Sequence, residues 1–182
     1  AAQDVINSKV FTLYEIDNYK SVWSTAFASE SIFEVNVSDT EPNQWVCLST
    51  LIGGTRYQRI GTTTDFEALM QENPTDVRFS LYEPSTLFQY YYARWKWEGR
   101  NGNELITNPK IFRLSEMYLI AAEAALKSND TNAGKYLSDL REKRTTVDPR
   151  KYDNGVTLDD ILYERRLELA CEGHRAWDLW RN

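Results

Sequence analysis

Cysteine and histidine are almost missing from this chain. Cys47, Cys171 and His174 are all it has. They show no C-x-x-C or H-x-x-x-H spacing, so neither a zinc site nor a disulfide framework is expected, and no cofactor is called for. Basic runs are missing too. Lys and Arg number 21 against 27 Asp and Glu, and a net charge of −6 argues against nucleic acid as the main partner. Long apolar runs are absent: the longest, Met117 to Ala122, is far too short to span a bilayer. No signal peptide or lipidation motif stands at Ala1. Both ends read as cut. Ala1 to Asn7 resembles the last turns of a helix without an N-cap, and the chain stops at Asn182 directly after an amphipathic segment. The expectation is a portion of a longer protein.

What is present suits a globular domain, with 42% hydrophobic and 26% charged residues. Aromatics reach 13%, enough to supply both core packing and a stacking surface for flat ligands. Taken in order, residues 1–7 read as helix. Asp17 to Phe27 reads as a second helix with Tyr19, Val22, Trp23 and Phe27 on one face, and Ser31 to Val37 as a short alternating strand. From Ser38 to Asn108, Gly and Pro punctuate an irregular stretch. It is interrupted by a short helix over Thr64 to Glu72 and an aromatic strand over Gln89 to Trp97. Tyr91, Ala93, Trp95 and Trp97 would share a packed face of that strand.

The last third is helical. Leu114 to Lys127 is apolar almost all round, and Ala133 to about Arg144 follows after a short turn, which predicts antiparallel neighbours. Thr157 and Asp160 have the spacing of a capping box, opening a helix expected to end at Gly173. His174 to Arg181 continues as a further short helix or turn with Trp177 and Trp180 as its buried side.

Charges interrupt these apolar patterns. Arg165 falls on the stripe of Leu158, Ile161, Leu162 and Leu169, where an unpaired charge is expensive. Glu116 and Glu123, seven apart on the Leu114–Lys127 helix, are the natural partners for Arg113, Arg165 or Arg166. With Glu168 they suggest a buried ion-pair network that fixes helix register. The alternative is a catalytic pair, Glu116 with Glu164 or Glu168, but carboxylates interleaved with arginine keep low pKa values, the wrong tuning for a general acid. Arg165→Ala should therefore unfold the protein rather than remove an activity.

Two motifs in this order, Arg113-Leu-Ser-Glu-Met-Tyr-Leu-Ile-Ala-Ala-Glu-Ala124 and Glu164-Arg-Arg-Leu-Glu-Leu-Ala-Cys-Glu-Gly-His-Arg-Ala-Trp-Asp-Leu179, resemble the SusD/RagB family. Ser29 to Val35 resembles the family's strand after its repeat helices, and Asn73-Pro-Thr-Asp-Val-Arg-Phe79 its Asp-x-Arg stretch. The resemblance implies a mainly α fold, a TPR-like α-α superhelix with an irregular loop and short-strand insertion. The chain would be the C-terminal portion of one such domain: 1–37 the end of the repeat helices and a short strand, 38–108 a loop-rich ligand face, 109–182 the helical signature region. It also implies a non-catalytic lipoprotein of the outer membrane's outer face, with its signal and anchor upstream. Such a protein captures oligosaccharide, or in some members peptide, and hands it to a SusC-like TonB-dependent transporter.

Candidate ligand residues are Asn43, Trp45, Arg56 and Tyr57, which combine flat rings with amide and guanidinium groups able to read hydroxyls. Trp45 could equally be a loop anchor. Two other classes remain open: a glycoside hydrolase, needing two acids about 5–10 Å apart across a cleft, and a purely structural helical-repeat module without an exposed aromatic surface.

Overall fold

The computed structural model describes residues 1–42, 46–54, 56–147, 152 and 155–181. Helices dominate: α1 (Ala2–Ser8), α2 (Leu48–Ile52), α3 (Thr64–Gln71), α4 (Leu114–Lys127), α5 (Ala133–Arg141), α6 (Leu158–Glu168) and α7 (Arg175–Arg181). Two small antiparallel pairs accompany them. Strand β1 (Ser31–Glu34) pairs with β4 (Lys110–Arg113), and β2 (Glu83–Pro84) with β3 (Tyr91–Tyr92). No helix among the described residues is long and apolar enough to cross a membrane.

Local chemistry explains most of the boundaries. Helix α4 is built largely of Leu, Met, Glu and Ala, all strong helix formers, and stops where Ser128-Asn129-Asp130 begins, with Asn129 in a left-handed conformation. Helix α6 starts on a reciprocal cap: Thr157 Oγ1 accepts from the Asp160 amide at 3.2 Å, and the Asp160 carboxylate accepts from the Thr157 amide at 2.9 Å. Helix α3 has a one-way cap, Thr63 Oγ1 accepting from the Phe66 amide at 3.3 Å.

Four expectations are corrected. The segment Asp17 to Phe27 is not an α-helix but two 3-10 turns, Ile16–Asn18 and Ser21–Ser24. Phe27 adopts φ 51 and is exposed, while Tyr14, Tyr19 and Trp23 pack edge to face at 6.1–6.3 Å. Mutual packing of three rings overrides the helical periodicity there. The stretch Gln89 to Trp97 yields only the two residues of β3 before turning into a 3-10 segment, Trp95–Trp97. Helix α6 ends at Glu168, short of Gly173, because Cys171 and Gly173 both take positive φ. Trp177 and Trp180 are 64% and 75% exposed; the buried residue of α7 is Asp178.

Helices α1, α5 and α6 pack on α4, and the apolar interior forms two clusters. One gathers Tyr14, Tyr19, Trp23, Phe66, Leu81, Trp97 and Leu167; the other gathers Leu114, Leu119, Leu137, Leu140, Ile161 and Leu169. Helix α6 contributes to both. It therefore has no single apolar stripe, and its charged residues Glu164 and Glu168 lie fully buried.

Candidate functional site

Two places concentrate polar side chains, and they differ in character. The first is the buried charge network. Arg113, at the β4–α4 junction, donates to Glu30 at 3.0 Å, to Glu168 at 2.6 Å, to both oxygens of Glu172 at 2.8 Å, to the Glu168 carbonyl at 2.8 Å and to Ser115 Oγ. Arg144, just past α5, reaches Glu30 and Glu168 and the Tyr14 carbonyl, and its guanidinium lies 4.7 Å from the Tyr19 ring centroid. Arg78 grips Asp76 with two parallel bonds of 2.9 and 2.6 Å and extends to Glu164 and Glu168. Arg141 closes on Glu164. Lys96 Nζ, buried, meets Glu172 Oε1 at 2.5 Å and donates to the Glu168 and Ala170 carbonyls at 3.1 and 2.7 Å. The first of these carbonyls ends α6 and is shared with Arg113, and the second lies two residues beyond it, so Lys96 fastens the turn that follows the helix.

Along these contacts five cations (Arg78, Lys96, Arg113, Arg141, Arg144) face five carboxylates (Glu30, Asp76, Glu164, Glu168, Glu172). Burial alone would raise the Glu168 carboxyl, but Arg144, Arg113 and Arg78 outweigh it and hold the group well below the usual carboxylate range. Glu172 is likewise lowered: burial opposes, and Arg113 and Lys96 prevail. Burial draws the Lys96 ammonium down despite Glu172.

Among the candidate network residues, the fold joins Arg113 to Glu168 but routes the rest elsewhere. Glu116 and Glu123 do not pair with Arg113, Arg165 or Arg166. Glu116 lies 3.5 Å from His174 Nδ1, and Glu123 takes Arg181 through two 2.7 Å bonds and Lys127 through a third. The reason is geometric: residues seven apart on α4 meet residues seven apart along the α7 segment, a ladder between those two elements. Arg165 bonds Asp178 at 2.9 and 3.1 Å, and Arg166 makes no ion pair with a described residue. Sequence reasoning missed Glu30, Arg141 and Arg144 altogether, because a lone acid before a strand and arginines at a helix end carry no local signal of burial.

The second place is a surface ledge. Arg56 is exposed, and its guanidinium lies 5.5 Å from the Tyr57 ring centroid. Asn43 and Trp45 lie outside the described residues. The next residue, Gln58, is buried and ties this loop to the turn between β2 and β3. Its side-chain oxygen accepts from Ser85 Oγ and the Thr86 amide, and its carbonyl accepts from Tyr90 Oη. Tyr90 stacks on Phe88 with centroids 5.4 Å apart, and Arg59 sits 5.9 Å from the Phe88 ring. Gly61 is a true close approach, since a Cβ there would lie 1.9 Å from the Tyr90 ring. Phe88 and Tyr90 were not among the sequence candidates; turn residues give no periodicity to read.

Residues 57–182 match the SusD family. The chain belongs to that family. SusD-like protein P2 of Formosa agariphila is 34% identical over 101 residues, which is 50% of this chain and 20% of that protein. A SusD superfamily protein of Bacteroides thetaiotaomicron superposes on the whole chain at 33% identity and a TM-score of 0.82, covering 44% of its own length. Surface glycan-binding protein A of the same organism, solved with laminarihexaose, covers 99% of this chain and 48% of its own at 23% identity and a TM-score of 0.74, a likeness that bears on fold alone. The chain thus spans about a fifth of the curated relative and under half of these structures. The TPR-like helical fold of the SusD family is the fold of this chain, and the Arg113–Ala124 and Glu164–Leu179 motifs are its scaffold.

Proposed function

We propose that this SusD-family chain is the C-terminal part of a non-catalytic glycan-binding lipoprotein of the outer-membrane surface that passes oligosaccharide to a SusC-like TonB-dependent transporter. The observation that carries the reading is the division of labour between the two places. The buried acids are committed to arginine and lysine, which leaves Glu168 and Glu172 ionised and unsuited to protonate a leaving group. The ledge, by contrast, offers rings and guanidinium groups at the surface, the pairing that stacks on a sugar's apolar face and reads its hydroxyls. Family membership supports the same reading. In it the segment 38–108 supplies the ligand face, with Asn43, Trp45, Arg56 and Tyr57 as contacts, and Phe88 and Arg59 beside them.

Affinity electrophoresis of the full-length protein through gels cast with soluble polysaccharides tests this. Laminarin belongs in the panel because one fold neighbour holds laminarihexaose. At least one polysaccharide should retard the protein, and Tyr57→Ala should cut that retardation several-fold. Retardation by none, or release of reducing sugar by the protein itself, would overturn the proposal.

A further inference from the structure

The end of α6, the start of α7 and the loop leading into α3 enclose a pocket of about 320 Å3. That is at the small end of the roughly 300–1,000 Å3 of small-molecule sites. Phe66 and Leu169 give it apolar lining. Gly61, which packs against the Tyr90 ring, lines it as well, so the pocket adjoins the ledge.

Three arginines line it: Arg165 and Arg166 on α6, and Arg175 at the first position of α7. Arg165 is more than nine-tenths buried and uses only its Nε, on Asp178 at 2.9 and 3.1 Å. Its two Nη nitrogens bond no described residue, yet neither is sealed from solvent, and this pocket is the opening that the side chain lines. The guanidinium groups of half-buried Arg166 and exposed Arg175 make no hydrogen bond or ion pair with a described residue. The neighbouring acids are already engaged. Asp178, the one carboxylate among the described lining residues, serves both Arg165 and Arg181. Glu67 accepts from Thr62 Oγ1 and the Tyr91 amide, and Glu116 faces His174.

The buried arginines of the network each face a carboxylate, whereas these three share a single one. A cation drawn from water without a counter-charge is costly, and a guanidinium fork matches an oxyanion that offers two oxygens. The occupant should therefore bring a negative group to the arginines and an apolar face to Phe66 and Leu169, within the volume of about one ring. We propose that this pocket holds the anionic residue of an acidic saccharide, with a uronate carboxylate or a sulfate ester set among Arg165, Arg166 and Arg175. The anion follows from the arginines; only its being carried on a sugar rests on the function proposed above.

The test is isothermal titration calorimetry of the full-length protein with D-glucuronate, D-galacturonate and D-galactose 6-sulfate. Neutral D-glucose and D-galactose, and the bare ions acetate and sulfate, are titrated beside them. At least one acidic sugar should bind saturably, tenfold or more tighter than its neutral counterpart and than either bare ion. Whether a uronate or the sulfated sugar does so identifies the source of the anion. Arg166→Gln combined with Arg175→Gln removes two guanidinium groups that the fold does not use, and should weaken that binding tenfold or more. Lys135→Gln, which removes an exposed charge on α5, should leave it unchanged. No binding of any acidic sugar, equal binding of the neutral ones, or a double variant that binds as the parent does would overturn the inference. Acetate or sulfate bound as tightly as the acidic sugars would overturn it too, by reducing the place to a site for bare ions. Retardation by a neutral polysaccharide without binding of any acidic sugar would sink this inference and leave the glycan reading; acidic-sugar binding without retardation by any polysaccharide would do the reverse.

Discussion

Glu168 shows how single residues carry this fold. Its two oxygens receive Arg78, Arg113 and Arg144, each from a different part of the chain, at 2.6–3.3 Å. A carboxylate so placed is costly to desolvate and is stable only while all three partners remain, so it records the correct assembly of the middle segment, β4–α4 and α5 onto α6. Gly61 is a smaller version of the same dependence. Gly61→Ala would put a methyl group into the Tyr90 ring, and overpacking of this kind costs about 1–3 kcal/mol. Urea denaturation should show that loss. Unchanged stability would mean that the β2–β3 turn moves freely away from the loop.

At the scale of elements, α7 is held by side chains more than by apolar packing. Asp178 ties it to Arg165 of α6, and Arg181 ties it to Glu123 of α4. The Arg181 hydrogen bonds lower the Glu123 carboxyl to about 2. A carboxyl lowered in the folded state stabilises fully above its unfolded value, about 4.3, and loses that contribution as pH falls toward the folded value. Amide exchange in α7 should therefore speed up between about pH 4.3 and pH 2, with α4 still protected; protection of α7 unchanged across that window would count against the ladder. Asp178→Asn should loosen α7 at neutral pH as well, by breaking the Arg165 contact. These elements also show what the sequence made legible. The boundaries of α4 and the cap of α6 could be read locally, because composition and a Thr-x-x-Asp spacing determine them. The termination of α6 could not, since it goes with a left-handed Cys171 ahead of Gly173, and a non-glycine residue at positive φ carries no local signal. The same holds for the site: Arg56 and Tyr57 stand out by residue type, whereas Phe88 and Tyr90 join them only through the contacts of Gln58.

For the molecule as a whole, the two apolar clusters meet along α6, and the neutral-sum network of five cations and five carboxylates fills the seam between them. Glu168 and Glu172 are both lowered, so by the same sign rule their stabilisation is complete above about pH 4.3 and declines on acidification. Cooperative acid unfolding at a pH below the one at which α7 loosens, followed by circular dichroism, is the expected result, and a native signal persisting to pH 1 would argue against it. On the proposed function, these buried charges hold the scaffold while saccharide is bound elsewhere. Equilibrium denaturation of full-length Glu168→Gln, with polysaccharide retardation measured on the same preparation, tests it most directly. Removing this one charge should lower stability by about 3–5 kcal/mol, with retardation retained by whatever fraction stays folded. A variant as stable as the parent that has lost retardation would contradict the account and move Glu168 into the ligand site.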